Sequence, residues 1–156
     1  MLPEIGQIAL LLALVAAVVQ TVMPLLGAQR ELPAWMALAR PSAWLQLVML
    51  AIAYALLTWA FITHDFSVRY VAENSNSLLP MIYRITAVWG GHEGSLLLWV
   101  LIIALWNAAV ATWSRSLPPR VTARVLGVMG AVSLGFLAFM IFTSNPFDRL
   151  LPAAAE

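Results

Sequence analysis

The sequence predicts an all-α integral membrane protein with four transmembrane helices and a periplasmic interfacial helix between the second and the third. Hydrophobic residues make up 63% of the 156 residues and charged residues only 10%. The mean hydropathy of +0.91 is far from that of a soluble domain. Four apolar runs, at about residues 5–26, 42–63, 95–113 and 121–143, are each long enough to cross a hydrocarbon core of about 30 Å.

Serine residues mark the expected starts of the second and third spans. Ser42 follows Pro41, and Ser95 precedes a run of leucines. A serine side chain at such a position accepts a hydrogen bond from the free N–H groups of the first turn. The first span lacks the basic segment that precedes a cleavable signal sequence, so we expect it to be retained as a helix.

The longest polar connection covers residues 64–93 and contains a short pattern of apolar residues. Its apolar residues recur at helical spacing: Leu78, Ile82, Ile85 and Trp89. This spacing predicts a short amphipathic helix that lies in the membrane interface, capped near Asn76 or Ser77 and with Pro80 in its first turn.

The arginines predict the orientation of the chain in the membrane. The first and third loops contain five of them: Arg30, Arg40, Arg115, Arg120 and Arg124. The second loop contains Arg69 and Arg84, and the tail contains Arg149. Because positively charged loops stay on the cytoplasmic side, we expect the N-terminus and the loop with His92 in the periplasm. Residues 144–156 are expected to leave the membrane as an extended segment.

Composition excludes several classes of function. The chain has no cysteine, which rules out disulfides, thiolate metal sites and a cysteine nucleophile. Its net charge is +1 and it has no basic patch, so we expect no nucleic-acid binding. The motifs of nucleotide-binding loops, serine hydrolases and zinc proteases are also missing from the sequence.

The interiors of the four spans contain no Asp, Glu, Lys, Arg or His, and their strongly polar residues are Gln20, Gln46 and Asn107. Pumps and transporters place ionisable residues along their ion pathways. A small transporter is therefore the less favoured alternative, and the spans are interpreted as scaffold.

The fourth span carries three small residues at four-residue steps, Gly127, Ala131 and Gly135. Small residues on one helix face allow another helix to approach closely, so this face predicts a packed interface. A structural membrane subunit that docks through it is a second alternative for the function of the chain.

The stretch from Trp89 to Ser95, with the sequence Trp-Gly-Gly-His-Glu-Gly-Ser, is the most chemically specific part of the chain. His92 is a candidate ligand of a heme iron or a hydrogen-bond partner of a quinol or propionate, with Glu93 fixing its tautomer or taking a proton. Alternatively, the pair only caps the third helix, whose positive end stabilises the Glu93 carboxylate. The spacing alone favours this simpler role.

Three more residues near this stretch have two interpretations each. Trp89 can line a porphyrin-sized pocket or belong to an aromatic belt. Arg84, like Arg69, can pair with the carboxylates of an anionic ligand, or with Asp65 and Glu73 in a solvated loop. His64 can be a second ligand across the loop, although a polar residue that simply ends a helix is commoner.

Three separated blocks of the sequence carry a family resemblance. They are Val71-Ala72-Glu73-Asn74-Ser75-Asn76, the stretch from Trp89 to Val100 (Trp-Gly-Gly-His-Glu-Gly-Ser-Leu-Leu-Leu-Trp-Val), and Phe142-Thr143-Ser144-Asn145-Pro146-Phe147. In this order and over essentially the whole chain, they resemble the N-terminal region of the CcmF family, the bacterial heme lyases of cytochrome c maturation. The resemblance implies that the chain is about the first quarter of a longer protein of the bacterial inner membrane.

The same resemblance implies the function of the complete protein. A CcmF heme lyase takes heme from the chaperone CcmE, supports its reduction with a b-type heme fed by quinol, and attaches it to CxxCH thiols of apocytochrome c. It works with CcmH. The tryptophan-rich signature and the heme-ligand histidines of the family lie further along, and neither His64 nor His92 corresponds to one of them. This segment is therefore expected to have no catalytic residue, no metal ligand and no activity alone.

The expected contribution of this segment is scaffold and periplasmic surface. His92, Glu93, Trp89 and Arg84 are the residues expected to form part of the environment of heme or quinol. The expected partners are the remainder of the heme lyase, CcmE, CcmH, apocytochrome c, quinol and membrane lipid.

Overall fold

The computed structural model describes residues 1–150, which fold into four long α-helices and several short ones. The helices are α1 (Leu2–Arg30), α2 (Pro33–Ala37), α3 (Ala39–Ile62), α4 (Arg69–Asn74), α5 (Met81–Ala87), α6 (His92–Trp113) and α7 (Pro119–Thr143), with a 3₁₀ turn at Ser114–Ser116. The four long helices are apolar and long enough to cross a membrane. The chain is therefore a multi-pass membrane protein, as the composition predicts.

The four long helices form an antiparallel bundle. Helix α1 packs against α3 and α7, and α6 packs against the same two helices from the opposite corner. Much of the contact surface of α1 is alanine and glycine. Small side chains let the helix backbones approach closely, which favours association inside a lipid bilayer, where helix faces gain little from the hydrophobic effect.

Buried amides connect the helices across the bundle. Asn107 of α6 donates hydrogen bonds from Nδ2 to Ser133 Oγ of α7 at 2.9 Å and to Gln46 Oε1 of α3 at 3.3 Å. Gln20 of α1 donates from Nε2 to the carbonyl oxygen of Leu126 in α7 at 2.9 Å. All three amide side chains are fully buried. The polar residues that the sequence singled out therefore link α1, α3, α6 and α7, since hydrocarbon offers such groups no other partner.

Neither serine predicted as a helix cap has that role. Ser42 lies inside α3, and its hydroxyl donates to the carbonyl oxygen of Leu38. Ser95 lies inside α6, and its hydroxyl donates to the carbonyl oxygen of Trp89 at 2.8 Å. Both helices begin three residues before the predicted positions, so the serines bind carbonyl groups of the preceding turn instead of free N–H groups.

The loop between α3 and α6 contains two short helices, whereas the sequence predicted one. Helix α5 begins at Met81, not near Asn76 or Ser77. The reason is that the Asn76 side chain accepts a hydrogen bond from the N–H of Leu78 and forms a local turn instead. Pro80 precedes the helix with an extended ψ of 150°. The apolar side chains of this segment are exposed, 92% for Leu78, and their placement in the membrane interface stays a prediction.

The small-residue face of α7 divides into two parts. Gly127 packs against α1, where a Cβ atom would lie 2.7 Å from Leu25 Cγ. Ala131 and Gly135 are exposed, and no atom lies within 4 Å of a Cβ placed at Gly135. Residues four apart drift by about 40° around a helix of 3.6 residues per turn, so one neighbouring helix does not cover all three.

The tail after α7 packs back over the end of the bundle, so the extended conformation predicted for residues 144–150 is wrong. The Phe147 ring occupies the space that a side chain at Gly6 would need. The N–H of Arg69 donates to the carbonyl oxygen of Asp148 at 2.9 Å. Residues 151–156, the rest of that prediction, lie outside the described residues.

Candidate functional site

Tyr70 of α4 holds the turn that leads into α6. Its hydroxyl donates a hydrogen bond to the carbonyl oxygen of Val88 at 2.9 Å and accepts one from the N–H of Gly91 at 3.0 Å. The phenol ring is buried and packs edge-on against Phe61 of α3, with ring centroids 5.3 Å apart. One side chain thus connects the backbone of Val88 to that of Gly91 and attaches the turn to the bundle.

Two of the three glycines in the turn are required by close approach. A Cβ atom at Gly91 would lie 2.7 Å from the Tyr70 ring, and one at Gly94 would collide with the carbonyl oxygen of Val88. Gly90 has more room, because its nearest neighbour is 3.4 Å from such an atom. Within residues 1–150 no glycine has a positive φ, so space and not backbone conformation selects glycine at the two tight positions.

The buried position of Tyr70 also fixes its protonation state. Burial raises the pKa of the phenol above its ordinary value, while the N–H groups of Gly91 and Gly94 act in the opposite direction. The neutral hydroxyl therefore persists under physiological conditions. It can donate to Val88 and accept from Gly91 at once, which a phenolate could not do.

His92 and Glu93 occupy the first turn of α6, directly after Gly91. The imidazole is exposed and lies edge-on to the ring of Phe139 in α7, with centroids 6.5 Å apart at 88°. Glu93 stands at the positive end of the helix dipole, which stabilises its carboxylate. Within residues 1–150 neither side chain forms a hydrogen bond or an ion pair with a protein group.

An apolar groove begins beside His92. It lies between α6 and α7 and has a volume of about 390 Å³. Its lining consists of Leu96, Ala131, Val132, Gly135, Phe136 and Phe139. Phe139 contacts the imidazole and also lines the groove. The histidine therefore does not line the groove itself but touches a residue that does. Phe139 could not be recognised from the sequence, because an aromatic residue on an apolar helix face is ordinary.

Arg84 and Trp89 are placed differently from His92. Arg84 donates from Nε to the carbonyl oxygen of Leu79 at 2.7 Å and from Nη1 to that of Ile62, at the end of α3, at 3.5 Å. It thus ties the loop to α3 and pairs with neither Asp65 nor Glu73 within residues 1–150. Arg69, in contrast, does pair with Glu73, Nε to Oε1 at 3.2 Å, as the solvated-loop interpretation expects. Trp89 is 43% exposed at the start of the turn.

His64 lies in the turn that follows α3. It has a left-handed φ of 53°, directly after the end of α3, and its ring stacks on Phe66 with centroids 5.6 Å apart. Its Nδ1 atom is buried without a hydrogen-bond partner in the described part of the chain. Across residues 1–150 no cluster of three or more histidines, cysteines or carboxylates could hold a metal ion.

Known proteins resemble this chain over nearly its whole length. No protein-family model matches it. The cytochrome c-type biogenesis protein CcmF of Pseudomonas aeruginosa is 60% identical over 152 residues, which are 97% of this chain and 23% of that protein. CcmF of Escherichia coli is 52% identical over 152 residues, 97% of this chain and 24% of that protein.

The fold is similar as well. A solved structure described as cytochrome c heme lyase CcmF superimposes with a TM-score of 0.89 at 26% identity, covering 95% of this chain and 25% of that one. The chain thus spans about a quarter of the length of the relatives it matches. In sequence and in fold, the chain belongs to the CcmF family and corresponds to its N-terminal part.

Proposed function

We propose that this chain is the N-terminal membrane scaffold of a heme lyase, which takes heme from CcmE and attaches it to the CxxCH thiols of apocytochrome c. The observation that carries the proposal is the correspondence with CcmF over 97% of the chain. The remainder of the lyase, CcmH and quinol are the further partners. The scaffold role agrees with a bundle whose buried polar groups connect helices to each other and which, within residues 1–150, buries no Asp, Glu, Lys, Arg or His.

The proposed orientation is that of a bacterial inner-membrane protein with the Trp89–Ser95 turn in the periplasm. The charges of the two bundle ends support it. One end has five arginines and one glutamate, Arg30, Arg40, Arg115, Arg120, Arg124 and Glu31. The other end, within the described residues, has three arginines and five carboxylates: Arg69, Arg84, Arg149, Glu4, Asp65, Glu73, Glu93 and Asp148. The positive-inside rule assigns the first end to the cytoplasm.

Cysteine labelling in intact cells tests this orientation. The chain has no cysteine of its own, and Ser77 and Ser116 are exposed at opposite ends of the bundle. We expect a membrane-impermeant maleimide to label Ser77→Cys and to spare Ser116→Cys until the cells are lysed. The reverse labelling pattern would show that the topology is opposite to the proposed one.

Within this scaffold, His92 and Glu93 form part of the environment of heme or quinol, and Trp89 and Arg84 border it. The proposed role of His92 is contact with the ligand from the edge of the groove that Phe139 lines. Arg84 supports the site indirectly, since backbone carbonyls already engage its guanidinium. Heme iron takes its axial ligands from elsewhere in the lyase, since the family resemblance assigns neither His64 nor His92 to that role.

The full-length lyase with His92→Ala tests this role. We expect a lower yield of holocytochrome c with an unchanged amount of the lyase in the membrane, because the exposed imidazole makes no bond that holds the bundle together. Tyr83→Phe, which changes an exposed side chain of the same loop, is the matched control and should leave the yield unchanged. An unchanged yield for His92→Ala would contradict contact with the ligand and leave His92 with only a role at the start of α6.

The open groove supports a second candidate function, docking of another membrane helix. Ala131 and Gly135 present small residues to the outside of the bundle, which suits close approach of a helix. In that case Ala131→Phe should dissociate a complex while the heme spectra of the remaining subunits stay unchanged. If the same variant alters those spectra and leaves the complex intact, the groove serves a cofactor.

A further inference from the structure

A second cavity lies at the arginine-rich end of the bundle, far from the Trp89–Ser95 turn. It has a volume of about 530 Å³ and is bordered by α2, the start of α3, the 3₁₀ turn and the start of α7. Its lining is mainly apolar, with Pro33, Met36, Leu117 and Pro119 among its residues, and it includes the cations Arg40 and Arg115. An apolar cavity with two guanidinium groups suits a ligand that has both an anionic group and an apolar part.

The two guanidinium groups have donors to spare. Arg40 donates from Nη2 to the carbonyl oxygen of Ser114 at 3.1 Å, which uses one of its five N–H groups. Arg115 is exposed and forms no ion pair with residues 1–150. Within residues 1–150 the one carboxylate at this end, Glu31, pairs with Arg120 instead. The cavity is therefore positively charged, and no acidic side chain of the described chain neutralises it.

The position of the cavity limits the class of ligand that can bind there. It lies where helices α3 and α7 begin, at the end of the membrane-spanning bundle, which is the depth of lipid headgroups. A free anion would leave the apolar lining unused, and a purely apolar helix would leave the guanidinium groups without a partner. A phospholipid satisfies both, because guanidinium groups bind phosphate oxygens well and basic pockets between membrane helices recognise anionic headgroups.

We propose that Arg40 and Arg115 form a binding site for one anionic phospholipid. The phosphate lies between the two guanidinium groups, and the upper part of an acyl chain lies against Met36 and Leu117. The site does not depend on the heme-lyase function, because it uses neither the groove beside His92 nor any residue of the turn. The bound lipid contacts both α2 and the 3₁₀ turn and so holds this end of the bundle in place.

Lipid binding to the delipidated full-length protein in detergent tests the proposal. The probes are phosphatidylglycerol, zwitterionic phosphatidylcholine and inorganic phosphate, measured by native mass spectrometry at increasing concentration. We expect one tightly bound phosphatidylglycerol per protein, weaker binding of phosphatidylcholine, and no displacement by inorganic phosphate. Arg115→Gln is the decisive variant because its side chain makes no bond within the described fold. It should weaken phosphatidylglycerol binding about tenfold, the effect of one lost charge-assisted interaction.

Arg124→Gln is the matched control, since Arg124 is an exposed arginine at the same end that does not line the cavity. It should leave the affinity unchanged. Equal loss in both variants would mean general attraction to a positive surface, and equal affinity for the two lipids would mean an apolar cavity only. Full competition by inorganic phosphate would assign the site to a free anion. Each of these results overturns the proposal.

Discussion

The Tyr70 hydroxyl donates to the carbonyl oxygen of Val88 across 2.9 Å. Two loop segments eighteen residues apart are thereby joined directly below the exposed His92. The same oxygen accepts from the N–H of Gly91 at 3.0 Å, so one atom sets the geometry of the turn. Position and exposure of the imidazole thus depend on a residue that makes no contact with the outside.

Tyr70→Phe is expected to destabilise the protein without changing its helices. The variant leaves a buried carbonyl and a partly buried N–H without their partner, which costs about 1–3 kcal/mol. Thermal unfolding of the full-length protein in detergent measures the effect. Tyr83→Phe is the control, because Tyr83 is 59% exposed and its hydroxyl has no partner within residues 1–150. Equal unfolding temperatures for both variants would contradict the anchoring role of Tyr70.

The raised pKa of Tyr70 predicts a loss of stability at alkaline pH. The folded protein holds the phenolic proton more tightly than the unfolded chain, whose tyrosines titrate near pH 10. The contribution is therefore fully present below that pH and is lost as the pH rises through the higher folded-state pKa. Unfolding curves of the wild-type protein and Tyr70→Phe should differ most below pH 10 and converge above it. A constant difference at all pH values would rule out this linkage.

Gly94→Ala is expected to be far more harmful than Gly90→Ala. A methyl group at position 94 meets the backbone carbonyl of Val88, which cannot rotate away, whereas at position 90 it has ordinary van der Waals room. Overpacking of this kind costs about 1–3 kcal/mol or more. The yield of folded membrane protein and its thermal unfolding measure the difference. If both variants behave alike, the turn is looser than its contacts imply.

Apolar length predicted the four spans well, because burial in lipid requires about 20 apolar residues and a satisfied backbone. The predicted helix starts were less accurate. Ser42 and Ser95 are good caps by residue type, yet the preceding segments already adopt helical geometry and move both serines inside. A cap signal shows which residues suit a helix start but not how far tertiary contacts extend the helix.

The candidate site was only partly visible in the sequence. His92, Glu93 and the glycines were recognisable because they are costly in an apolar context. Tyr70 was not, since a tyrosine between an arginine and a valine has no distinctive spacing, and its partners Val88 and Gly91 follow far along the chain. Its position immediately before the block Val71–Asn76 was the one available signal. Pairings over such distances depend on how α4 packs on the bundle.

The buried amides offer a last test, of how the spans recognise each other. Asn107 Nδ2 lies 2.9 Å from Ser133 Oγ and 3.3 Å from Gln46 Oε1, so it links α6 to both neighbours. A double-mutant cycle with Asn107→Ala and Ser133→Ala isolates one of these links. We expect a coupling free energy of about 0.6 kcal/mol, with about 1.7 kcal/mol as the upper end for hydrogen bonds between membrane helices. Asn107→Ala combined with Thr112→Ala is the control, because the Thr112 hydroxyl bonds only within α6, and its coupling should be near zero. Additive effects in the first cycle would mean that small-residue packing alone aligns α6 with α7.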